Sequence, residues 1–103
     1  MDWQLQIETV KEICFLIENE EGYQERLTGY FPVLTETIEY ILNCAHSPEI
    51  SFDVNERFVI QVLNDILYGM EHQDSVFLLD VLRHGLLELY QYGKDNLQSE
   101  GAE

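Results

Sequence analysis

Positive charge is scarce in this chain. Five Lys and Arg stand against 20 Asp and Glu, leaving a formal charge of -15 over 103 residues. Such a field repels phosphate backbones and anionic lipid headgroups, so the sequence predicts no nucleic acid and no membrane among its direct partners. Cysteine is scarcer still, at two residues. Cys14 and Cys44 are too few for a disulfide framework, and both fall in register with apolar neighbours, as reduced core residues of a cytoplasmic protein do. No stretch approaches the roughly 18 apolar residues of a membrane span. The opening residues MDWQLQIETV carry neither the basic nor the apolar region of a secretory signal, which again points to the cytoplasm.

The motifs of chemistry are missing as well. Helical di-iron proteins use Glu-x-x-His pairs, yet Asn43, Gly69 and Val81 stand three residues before His46, His72 and His84. Cys44 and His46 lie close in sequence, but no second pair completes four zinc ligands. Cys14 and Cys44 on apolar stripes read as packing, not as nucleophiles. His84, between Asp80 and Glu88 at four-residue spacing, reads as a surface imidazole. There is no glycine-rich phosphate loop and no alternating β pattern. The expectation is a non-enzymatic protein with no cofactor and no metal; a small metal-dependent or thiol enzyme is the remote alternative.

What the chain does have is apolar periodicity close to that of a helix. Residues 76–90, VFLLDVLRHGLLELY, place Leu78, Leu79, Val81, Leu82, Leu86, Leu89 and Tyr90 over about half a helix circumference, which calls for burial on several sides. Trp3, Ile7, Val10, Cys14 and Ile17 draw a stripe along a first helix over about 3–20, with Asp2 as its cap. Gly22 suits the left-handed position after that helix. Leu27, Phe31, Leu34, Ile38, Ile41 and Ala45 draw a second stripe over 23–44, kinked or broken near 29–32 by Pro32. Asp53 and Glu56 have the spacing of a capping box before a third helix, whose face is Val59, Val62, Leu63, Ile66, Leu67 and Met70. Asp74 is placed to cap the last helix. The predicted fold is an all-α antiparallel four-helix bundle, five helices if Pro32 breaks the second. It occupies a single domain over 1–93, followed by a disordered acidic tail over 94–103.

Two groups of residues stand out as candidates for function. Phe15, Phe58, Val76, Phe77 and Leu87 are apolar but off the buried stripes, so they are candidate interface residues. Glu18, Glu20, Glu21 and Glu25 cluster around the first turn as a candidate acidic patch. The sequence therefore predicts a small acidic protein-interaction module, an adaptor or chaperone-like binder of an amphipathic or basic segment. The alternative is self-association, with the apolar excess serving only as a homodimer interface.

Overall fold

Asp2 opens the first helix by accepting a hydrogen bond from the Leu5 amide at 3.0 Å, satisfying one of the donors that a helix start leaves free. Helix α1 runs over Trp3–Glu18, α2 over Tyr23–His46 and α3 over Glu56–Glu71. The last helix, α4, takes in residues 75–101. In it an α segment Ser75–Val81, a π turn Leu82–Leu86 and a second α segment Leu87–Gly101 follow one another without leaving helical backbone angles. The computed structural model describes residues 1–47, 49 and 52–101, the last four by backbone only, and among them there is no strand. The fold is an all-α bundle of four helices.

Contacts fix how the helices neighbour one another. At the start of α1, Trp3 and Gln4 meet Gly93 and Lys94 of α4, whereas Glu18 at its end pairs with Arg83. Trp3 stacks edge-on against Tyr40 of α2, and Glu12 pairs with Arg26. Gly69 of α3 abuts Leu78 of α4, and Val62 abuts Gly85. This is the order of contacts that antiparallel neighbours give. At 1.5 Å per residue α4 is about 40 Å long, close to the 42 Å long axis of the molecule. It is the spine against which α1 and α3 pack.

The stripes read from the sequence are the core. Trp3, Ile7, Val10, Cys14 and Ile17 are buried, as are Leu27, Leu34, Ile38 and Ile41 on α2 and Val59, Val62 and Ile66 on α3. Leu67, assigned to the buried face of α3, is instead exposed. In α4 the buried residues form two rows of four-residue spacing: Leu78, Leu82, Leu86 and Tyr90, and Val81, Gly85, Leu89, Gly93 and Leu97. In a pure α-helix such rows drift about 40° per step. The π turn, with its wider i to i+5 hydrogen bonding, takes up part of that drift and holds both rows on one side.

Several local expectations need correction. α2 passes through Pro32 as one continuous helix, so among the described residues the expected count of four holds and the alternative of five does not. Pro32 and Thr28 are both exposed, so the Thr28 carbonyl deprived of its amide partner faces solvent. The interior proline still costs about 3 kcal/mol, offset by the burial of Leu27, Tyr30, Leu34 and Ile38 on the opposite side. The capping box at Asp53 and Glu56 does not form. Asn55 caps α3, its side chain accepting from the amides of Arg57 and Phe58 at 3.0 and 3.3 Å. The tail expected from Lys94 onward continues α4 as far as Gly101, with Leu97 buried in the core; Ala102 and Glu103 lie outside the described residues. Phe52, in the segment before α3, is buried and packs against Tyr92 with ring centroids 5.3 Å apart.

Candidate functional site

Along one side of the bundle α3 and α4 leave a shallow groove open to solvent. On α3, Phe58, Gln61, Val62 and Asp65 recur at intervals of three, one and three residues, which puts them on one face. On α4, Asp80, His84 and Glu88 form the outer row, and Val81, Gly85 and Leu89 form the inner one. Phe58 divides the groove into two hollows. One, of about 280 Å³, is lined by Asp53, Val54, Asn55, Phe58, Glu88, Leu89 and Tyr92. The other, of about 160 Å³, is lined by Phe58, Gln61, Val62, Asp65, Asp80, Val81, His84 and Gly85.

Local structure makes the walls stiff. Gly85 sits in the π turn facing α3, and a Cβ there would lie 3.2 Å from a Val62 methyl, so the two helices approach closely at the floor because no side chain keeps them apart. At the far end the Tyr92 hydroxyl donates to the Asp53 carbonyl, tying the segment before α3 to α4. The Asp65 carboxylate accepts from the Gln61 amide at 2.7 Å. The result is an apolar floor with carboxylates on both walls: Asp53 and Asp65 on one side, Asp80 and Glu88 on the other. Among the described residues, His84 is the one basic side chain lining either hollow.

Of the five candidate interface residues, Phe58 alone lines this groove, 41% exposed. Phe77 is half-buried and packs edge-on against Tyr68 at 5.5 Å. Leu87 is half-buried against the core. Phe15 and Val76 are exposed on α1 and α4 and line neither hollow. The acidic candidates gather at the turn between α1 and α2. There Glu18 is engaged by Arg83, a bond that keeps Arg83 more firmly protonated, and Glu20, Glu21 and Glu25 are exposed. Sequence reasoning missed Asp53, Asp65, Asp80 and Glu88 as rim residues. The available signal was the four-residue repeat of Asp80, His84 and Glu88 beside that of Val81, Gly85 and Leu89.

The interior holds a polar chain whose members line neither hollow. Tyr30 donates to the Gln6 side-chain oxygen at 2.6 Å, and its own oxygen lies 3.0 Å from the Tyr90 hydroxyl. Burial pushes both phenols above their ordinary value, so both stay protonated. Burial likewise pushes the Cys14 thiol up to about 11, with Arg83 pulling it part of the way back. At neutral pH that thiol is not a nucleophile. Among the described residues no three His, Cys, Asp or Glu side chains gather to hold a metal, and no helix is long and apolar enough to cross a membrane. The chain matches no protein-family model, no curated protein and no solved structure.

Proposed function

We propose that this protein is a small non-enzymatic interaction module, an adaptor or chaperone-like binder, that docks a basic segment of a partner protein in the groove between α3 and α4. The observation that carries the reading is the pairing of an apolar floor with carboxylates on both walls. The floor supplies area to remove from water, and the walls select cations and hasten encounter. A partner built this way offsets part of the charge of -15, whereas a second copy of the chain would bring a like-charged surface against it. The protonated Cys14 thiol supports recognition over thiol chemistry at neutral pH. Free, buried Cys14 and Cys44 suit a reducing compartment such as the cytoplasm.

Fluorescence anisotropy with a labelled lysine-rich amphipathic peptide tests the reading, with a glutamate-for-lysine version of the same peptide as control. The expected result is micromolar binding of the lysine peptide alone, weakening about tenfold or more between roughly 50 and 300 mM salt. Equal binding of the two peptides, or none by either, contradicts it.

A further inference from the structure

Resting on that reading, we infer that the docked segment is an amphipathic α-helix of about three turns. It lies along α4, with two apolar anchors seven residues apart on either side of Phe58 and lysines or arginines on both flanks. The length comes from the groove itself. From Asp80 to Tyr92 the α4 wall rises about 18 Å at 1.5 Å per residue, and a helical turn takes about 5.4 Å.

The helical form follows from what the walls offer. Apart from the short segment of Asp53, Val54 and Asn55 at one end, the walls are helices whose backbone groups are engaged in their own hydrogen bonds, so the groove presents no edge of useful length to which an extended strand could add. A segment entering an apolar groove without backbone partners must satisfy its own amides and carbonyls, and a helix does so internally. The anchor spacing follows from Phe58. The smaller hollow lies beside Val81 and Gly85 and the larger beside Leu89 and Tyr92. Their centres are thus about seven residues apart along α4, roughly 11 Å, or two turns of a bound helix. Carboxylates on both walls fix the rest: Asp65 faces one flank of the incoming stripe and Asp80 and Glu88 the other, so cations are needed on both flanks.

The test uses the full chain and three peptides of about fifteen residues. The first carries leucines at positions i and i+7 with alanines between and lysines on both flanks. The second moves the anchors to i and i+5, and the third keeps the first composition but places a proline midway. Titration calorimetry reads affinity and circular dichroism reads helix gained on binding. The first peptide should bind and gain helix, and the other two should bind at least tenfold more weakly. Phe58→Ala should weaken the first peptide about tenfold, a loss typical of a central anchor. Val76→Ala, at an exposed site outside the groove, should leave it unchanged. Thermal melts confirm that both variants fold.

If the proline peptide binds as well as the first, the helix inference falls while the docking of basic segments stands. Equal binding at i+5 overturns the anchor spacing. If no lysine-bearing peptide binds, the docking reading itself falls with it. Sedimentation showing a dimer that Phe58→Ala dissociates makes a second copy the occupant and overturns the inference.

Discussion

Tyr30 has one proton to give, and Gln6 takes it at 2.6 Å; Tyr90, at 3.0 Å from Tyr30, must therefore be the donor in that pair. The two tyrosines are thus unequal. Tyr90→Phe removes a donor but leaves the bond between Tyr30 and Gln6 intact, for an expected cost of about 1 kcal/mol. Tyr30→Phe strips Gln6 and Tyr90 of their shared partner in a buried setting and should cost about 2 to 3 kcal/mol; urea unfolding of both variants checks the order. Cys14 gives a second prediction at this scale. Its thiol is raised from 9.0 to about 11 in the folded chain, so the folded state holds the proton more tightly than the unfolded one. That contribution is complete below pH 9 and is lost as pH rises towards 11. Urea midpoints across that window should fall for the wild-type chain, and fall less steeply for Cys14→Ala.

At the scale of elements, both tight turns end their preceding helix with a residue other than glycine in the left-handed region, Glu20 at φ 53° and Gln73 at φ 52°. In each, the next amide reaches back into the helix, Glu21 to Leu16 and Asp74 to Gly69, both at 3.0 Å, the closing bond of a Schellman turn. Glu20→Gly should relieve backbone crowding and remove a negative charge from the end of α1. The expected gain is about 1 kcal/mol, seen as a rise of roughly 4 to 8 °C in Tm. The sequence pointed to Gly22 for the left-handed position. Gly22 is indeed left-handed, at φ 60°, but the turn also needs Glu20 there, which no propensity suggests. Helix starts were more legible: Asp2 and Asp74 cap as read, while at α3 the nearer Asn55 displaced Asp53. The end of α4 was not legible, because four-residue spacing drifts off an ideal wheel and only the π turn restores it. Leu97→Ala checks that end: a residue in a mobile tail would cost nothing, whereas this one should cost about 2 to 5 kcal/mol.

At the scale of the whole molecule, the strong stripes of all four helices reported the bundle and most of its core, because burial on one face leaves a period in the sequence. The groove was legible only at Phe58. Its walls come from two helices and the segment before α3, and no period on one helix reveals which face of the next lies opposite. Of the other apolar residues out of register, Phe77 and Leu87 are half-buried, while Phe15 and Val76 are exposed outside the groove. The charge of -15 gains meaning once four carboxylates are seen on the two sides of one apolar floor. The most direct measurement is an NMR titration of the labelled protein with the lysine-rich peptide, following amide and methyl shifts. Changes concentrated at Phe58, Val62, Val81, Gly85, Leu89 and Tyr92 are expected; changes centred instead on Phe15 and Val76, or on the acidic turn of Glu18, Glu20, Glu21 and Glu25, would contradict docking in the groove.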